Sequence, residues 1–382
     1  MSRELILHIG ITKTGSTSLQ RVLSRARPAL ADQGISYPRS PGFTQHQMLA
    51  YAFADERAWR KWRNNPVWGG LQPRARIEQF LQEFDAELRA LPPAIGRVIL
   101  STEYLYIRLQ AADEVQRLHD LLRQYFSTMR VVVYLRRQDS HLTSLYTEIL
   151  RSGTAFAPPG GPLRANPGHD MDYAALLRRW SDACGQSNIQ PRIFERTAGR
   201  PYDSVQDFLD LVGIRLPDST ERGAEVNASI NLAGQKLLVD LADLIRQQEG
   251  GGDNISSPVW RSLAAAVTAA APGKGWRPTR HRAEEFYNKF RDGNEEVRRT
   301  WFPERATLFE EDFGEYPETE PVVGADAAYE AACRALLHVA QEAIERVNKG
   351  ASEAVREARQ GGNPARLRTV LARSEQPPSE LP

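Results

Sequence analysis

Cysteine is scarce. The 382 residues hold two, Cys184 and Cys333, far apart and in neither a metal-binding nor a redox spacing. That excludes a disulfide framework and a thiolate-built metal centre, and it fits free thiols in a reducing compartment. Long apolar runs are missing too. The stretch 5–9 is too short for a signal-peptide core and stops at Gly10, and no stretch is long enough to span a bilayer. A cytoplasmic protein without an integral membrane segment is expected. Nor is there an excess of charge: 49 Lys and Arg against 48 Asp and Glu leave a net +1. Nothing global favours nucleic acid or an anionic membrane, so no nucleic-acid partner is expected, and any anionic ligand must be held by a local cluster of donors.

What is present is the composition of an ordinary globular chain, 41% hydrophobic and 25% charged, long enough for one large domain or two. Apolar runs at 5–9, 97–101, 129–135 and 188–194 read as strands. Amphipathic stretches at 15–30, 71–91, 111–125, 140–151, 172–184 and 204–212 read as helices. This alternation predicts an α/β fold, a parallel β-sheet flanked by helices, with ligands bound at the carboxyl ends of the strands. Residues 153–170, rich in Gly and Pro, read as a loop. Further on come helices at 229–248, 283–300 and 325–360, a Gly250-Gly251-Gly252 break and a basic loop at 272–282. A polar, Pro-rich tail over 361–382 is expected to be disordered. The expected organisation is an α/β domain over 1–316, a helical extension over 317–360, and that tail. Apolar positions in 325–360 suit an oligomer contact or packing back on the domain, and the oligomeric state stays open.

The sharpest local signal is Gly10-Ile11-Thr12-Lys13-Thr14-Gly15-Ser16-Thr17-Ser18, between the first strand and the first helix. Such a turn aims successive backbone N–H groups into one concavity at a helix N-terminus, where a phosphate or sulfate binds. It is not a Walker A loop, which sets Lys directly after the second glycine. Here Lys13 precedes Gly15 by two residues. A second constellation follows the strongest strand: Arg136 at its end and Ser144 eight residues on, in the next helix. A guanidinium and a hydroxyl so placed can converge on one phosphate. Arg137 is the adjacent alternative, and spacing favours Arg136.

These two segments resemble those of PAPS-dependent sulfotransferases of the bacterial carbohydrate type, a P-loop fold. Lys-Thr-Gly-Ser-Thr is similar to their 5′-phosphosulfate loop, with Thr12 where proline is common. The strand-Arg-Ser arrangement is similar to their 3′-phosphate segment. Softer likenesses are Ser101-Thr102-Glu103, His46 in the early loop, and Asn227-Ala228-Ser229. The resemblance covers about residues 4–230, and in outline extends to about 316.

It implies a transfer of sulfuryl from PAPS (3′-phosphoadenosine 5′-phosphosulfate) to a hydroxyl or amine, with PAP as product and no metal. It also implies a carbohydrate, glycolipid or other small-molecule acceptor. Lys13 would stabilise charge on the leaving oxygen, with Thr14, Gly15, Ser16, Thr17 and Ser18 holding the phosphosulfate and Arg136 with Ser144 the 3′-phosphate. Glu103, at a strand end, and His46, with the more suitable ordinary pKa, are the alternative general bases. Lys274 and Arg277 of the basic loop would close on the 3′-phosphate, with Trp276 stacking on adenine; the other reading of that loop is a solvated linker. His141 reads as a surface or packing residue, and His169 and Asp170 as loop residues within reach of an acceptor. Trp59, Trp62 and Trp68, among basic residues, suit a sugar or pack on the domain. The rival readings are a P-loop phosphotransferase using ATP and Mg²⁺, and a non-catalytic nucleotide-binding protein.

Overall fold

Five segments pair as strands: β1 (Glu4–His8), β2 (Ile35–Ser36), β3 (Arg97–Ser101), β4 (Thr128–Leu135) and β5 (Ile189–Ile193). The computed structural model describes residues 2–61, 66–153, 171–195, 202–217, 229–249, 258–339 and 341. In it these strands form a parallel sheet in the order β2-β3-β1-β4-β5. The α/β class expected from the alternating pattern is the one observed. β2 was not foreseen, because two residues are too few to show a period.

The strands are continuous apolar runs because both faces of the sheet are covered. Leu5, Leu7, Val98, Leu100, Val131 and Val133 share one buried cluster with residues of the helices Met48–Phe53, Pro73–Arg89, Ala112–Leu122 and Tyr173–Cys184. Ile6, Ile99, Val132 and Tyr134 share another with the helices Ser16–Arg25, Arg27–Ala31 and Ser204–Leu211. Successive side chains thus go to opposite layers, the period-2 signature of a strand.

The sheet's order fixes where a ligand would sit. β1 is central, with His8 level with Ser101 of β3 on one side and with Val132 of β4 on the other. The chain leaves β1 towards one side for β2 and β3 and towards the other for β4 and β5, so the crevice at its carboxyl end is the topological switch point.

The helix expected over 15–30 is two, Ser16–Arg25 and Arg27–Ala31, with Pro28 in the first turn of the second. Proline is tolerated at that position and not mid-helix. The helix expected over 283–300 likewise divides into Arg280–Asn288 and Arg291–Trp301. The helices Met48–Phe53 and Pro258–Ala270 were not foreseen. Of the stretch 325–360, residues 325–339 are helical. Residues 342–382, with the expected tail, lie outside the described residues, as do 154–170 with His169 and Asp170.

The described residues divide between two compact units. One falls within Met1–His141, Asn166–Val226 and Ala283–Phe313, the other within Leu142–Ala165, Asn227–Arg282 and Gly314–Pro382. This departs from a single domain over 1–316. The reason is a separate core in the second unit, built by Leu238, Ala242, Trp260, Val267 and Trp276. Among the described residues no helix is long and apolar enough to cross a membrane.

Candidate anion site at the end of the central strand

The loop leaving β1 has two left-handed residues, Lys13 at φ 64° and Gly15 at φ 84°. Gly15 is the N-cap of the helix Ser16–Arg25, and no side chain caps that helix. A residue other than glycine in this conformation is costly and needs neighbours that hold it. Arg136, one residue beyond β4, does so: its Nη1 donates to the Lys13 carbonyl at 2.8 Å. Below, the Thr14 hydroxyl donates to the Ile11 carbonyl at 2.6 Å. Thr12 is more than a tolerated departure from proline, since its hydroxyl lies 3.0 Å from His141 Nε2 and ties the loop to the helix Gln138–Ser152. His141 is therefore a buried packing residue.

Gly15 has a second constraint. A Cβ there would run into Ser204 Oγ. Ser204 opens the helix Ser204–Leu211, which Asp207 pins by accepting from Tyr134 Oη of β4 at 2.8 Å and from Arg192 Nε of β5 at 3.0 Å. The side chain of Ser204 thus joins the wall of the loop, and nothing near it in sequence announced that.

Glu103 reaches the same place from β3. The Ser16 hydroxyl donates to its Oε2 at 2.7 Å. The structure therefore brings together Lys13, Gly15, Ser16, Glu103 and Arg136 at the carboxyl ends of β1, β3 and β4. Thr17 is exposed and Ser18 half-buried in the first turn. Arg136 also donates to Ser140 Oγ from Nε at 3.1 Å and from Nη2 at 2.9 Å, and it lies over the Phe194 ring. Ser144 stands one turn further along that helix. Arg137 is engaged differently, in a fork on Asp139 at 2.8 and 3.0 Å and on the carbonyls of Glu310 and Asp312 at 2.6 and 2.7 Å. These bonds tie it to Asp139 and to the segment of Glu310 and Asp312.

His46 must be corrected. It is fully buried and both ring nitrogens are engaged: Nε2 donates to the Pro38 carbonyl at 2.9 Å, and Nδ1 accepts from the Ser101 N–H at 3.1 Å. Its own N–H bonds the Ser101 carbonyl at 3.1 Å. No lone pair is left for an acceptor hydroxyl, so His46 fastens the loop 38–47 to the end of β3 instead of acting as a base.

Burial holds His46 neutral, its pKa pulled down to about 3 by desolvation, and does the same to His8 at the end of β1. Both carry ordinary values near 6.5 when unfolded. Between those limits the unfolded chain binds more protons than the folded one, so stability is lost as pH falls below about 6.5. The slope is up to about 1.4 kcal/mol per pH unit for each histidine. Urea denaturation at pH 7.5 and 5.5 is expected to show this loss, and His46→Gln to reduce it by about half. An unchanged pH dependence in His46→Gln would mean that His46 is charged or exposed.

In the second unit the basic loop is matched by an acidic segment. Arg277 pairs with Glu315 at 2.8 Å, Arg280 with Glu318 at 2.7 Å and Arg282 with Glu320 at 2.6 Å. Lys274 and Arg277 stand in the irregular part of that segment, 274–279, and Arg280 and Arg282 in the first turn of the helix Arg280–Asn288. Trp276 is corrected as well. It is 1% exposed and packs edge-on against Tyr146, so it is a core residue with no face for a base. Trp59 and Trp68 also pack inward, Trp59 Nε1 donating to the Tyr51 carbonyl and Trp68 lying edge-on to the Tyr51 ring. Trp62 lies outside the described residues.

Fold and loop define a class: a parallel α/β unit with an uncapped strand-loop-helix turn at the switch point of its sheet. No protein-family profile matches the chain. It is similar to an uncharacterized protein of Archaeoglobus fulgidus, 25% identical over 177 residues, which are 45% of this chain and 46% of that protein. The chain thus spans about half the length of this curated relative. It is also similar to a solved sulfotransferase from Alicyclobacillus acidocaldarius, at 17% identity and a TM-score of 0.38, covering 68% of this chain and 100% of that one.

Proposed function

We propose that the protein is a sulfotransferase that moves a sulfuryl group from PAPS to a hydroxyl or amine. The observation that carries this reading is the convergence of a strained, uncapped phosphate-type loop, a carboxylate hydrogen-bonded to it, and an arginine clamping it. The residues fit the donor. The open first turn of Ser16–Arg25 offers N–H groups and a positive helix end to the phosphosulfate. Arg136 offers its fork to a phosphate, with Ser140 and Ser144 on the helix beside it. Lys13 offers a charge to the leaving oxygen. Glu103 takes the acceptor's proton as the acceptor oxygen or nitrogen bonds sulfur and the bond from sulfur to the 5′-phosphate oxygen breaks, leaving PAP.

The test is turnover of PAPS to PAP with a panel of oligosaccharide, phenol and amine acceptors. Glu103→Gln is expected to lower the rate about 100-fold, within the range for a lost general base, while PAP still stabilises the variant as it does the wild type. Full turnover in Glu103→Gln would remove Glu103 from the chemistry. Transfer from ATP with Mg²⁺, and none from PAPS, would replace this reading with a phosphotransferase.

A further inference from the structure

The loop between β2 and the helix Met48–Phe53 has no part in the mechanism above, yet it lies on the rim where a ligand would bind. The strands are parallel, so β2 delivers it at the end of the sheet where Lys13 and Glu103 stand. Within it, His46 bonds Ser101, the last residue of β3, and Glu103 follows two residues on. The order β2-β3-β1-β4-β5 therefore sets this loop and Arg136 on opposite sides of Glu103.

The loop is held in one shape. The Tyr37 hydroxyl donates to the Thr44 carbonyl at 2.7 Å, and the two oxygens of Glu87 accept from the N–H groups of Arg39 and Ser40 at 2.8 Å each. Arg27 donates to the carbonyls of Tyr37 at 2.8 Å, of Pro38 at 3.3 Å and of Phe43. Gly42 turns the chain at φ 141°, where a Cβ would strike the Gln45 carbonyl. The side chain that this fixed loop presents is Phe43, 63% exposed. Two guanidinia attend its ring, Arg27 at 4.7 Å and Arg39 at 5.5 Å from the centroid. Among the described residues neither is in an ion pair. Arg27 gives its hydrogens to backbone carbonyls, while the exposed Arg39 makes no side-chain hydrogen bond. Two like charges around one ring repel, and an anion between them relieves the repulsion.

We infer that Phe43 and Arg39 form an acceptor subsite for a carboxylated saccharide. The ring supplies apolar contact to the C–H groups of a sugar. Arg39, braced on that ring, offers its planar fork to the carboxylate. Charge selects the ligand, since a neutral sugar would leave the two cations unrelieved. Arg27 is a positioning residue, spent on the carbonyls that shape the loop. The inference rests on the sulfotransferase reading for what becomes of the sugar's hydroxyl, and not for its binding.

The experiment is calorimetric titration of the full chain, with PAP present, with p-nitrophenyl β-D-glucuronide and p-nitrophenyl β-D-glucoside. These probes differ only in a carboxylate against a hydroxymethyl group. The wild type is expected to bind the glucuronide about tenfold tighter, the order expected of a hydrogen bond to a charged group. Arg39→Ala should bind both at the glucoside's level, and Arg39→Lys should fall between. Phe43→Ala should bind both about fivefold more weakly than the wild type. Equal affinities in the wild type, binding of neither probe, or a preference that survives Arg39→Ala overturns the subsite and leaves the donor site standing. A wild type that PAP does not stabilise against heat removes the donor site, and a glucuronide preference lost in Arg39→Ala then still supports the subsite.

Discussion

PAP is expected to stabilise the wild type against heat, and Arg136→Ala to abolish that stabilisation. A ligand that binds only the folded state adds about 2.7 kcal/mol at a hundred times its dissociation constant. Truncating one partner of a buried, hydrogen-bonded charge pair costs about 2–5 kcal/mol of binding, so at the same PAP concentration little of that gain should remain. Two losses combine. The fork that would meet a phosphate disappears, and so does the Nη1 donor that holds the Lys13 carbonyl in its left-handed turn. Arg136→Lys keeps the charge without the planar fork and should fall between the two. Arg137→Ala is the control. It breaks the bonds to Asp139 and to the carbonyls of Glu310 and Asp312, so it should lower the melting temperature yet preserve the response to PAP. A full response to PAP in Arg136→Ala would remove Arg136 from the donor site. A larger shift of the wild type with ATP and Mg²⁺ than with PAP would favour the phosphotransferase.

Gly15→Ala should destabilise the fold by about 1–3 kcal/mol, a large value for one methyl group. The left-handed conformation at φ 84° costs an alanine about 1–2 kcal/mol. The rest comes from collision of the new Cβ with Ser204 Oγ. The helix is held by the bonds of Asp207 to Tyr134 and Arg192, so the Ser204 hydroxyl must give way by turning about its own Cα–Cβ bond. The double variant Gly15→Ala with Ser204→Gly separates the terms. It removes the collision and retains the strain, so about 1–2 kcal/mol of the loss should persist. Chemical denaturation of the four proteins in this cycle gives the coupling directly. A fully stable Gly15→Ala would mean that the loop does not take this turn.

The phosphate-type loop could be read from the sequence because its signal is local: a strand, a Gly-rich turn and a helix start within about a dozen residues. Arg136 was legible for the same reason, standing at the end of the most apolar strand. What could not be read depends on contacts between distant segments. His46 looked like a base because its ordinary pKa suits the task, but its burial and its two bonds to Pro38 and Ser101 exist only once β3 is in place. Trp276 looked like a stacking face because it sits among Gly and Arg, whereas it packs on Tyr146, which is far away in sequence. Ser204, Ser140 and His8 gave no signal at all. A serine opening a helix is commonplace, and so is a histidine ending a strand. The two-residue β2 and the second core were missed because one is shorter than any period and the other is assembled from separate stretches.

The central place of β1 has a consequence for how the chain is made. This strand leaves the ribosome before both of its neighbours, β3, level with it at Ser101, and β4, level with it at Val132. At about 5–20 residues per second, an interval of roughly 6–25 seconds separates the emergence of β1 from that of β4. Throughout it this apolar strand has no complete sheet to join, and such exposed segments invite association or capture by chaperones. The loop of Lys13 and Gly15 gains the Arg136 bond to its Lys13 carbonyl only when Arg136 follows β4 out, so the candidate anion site is completed later than its own loop is translated.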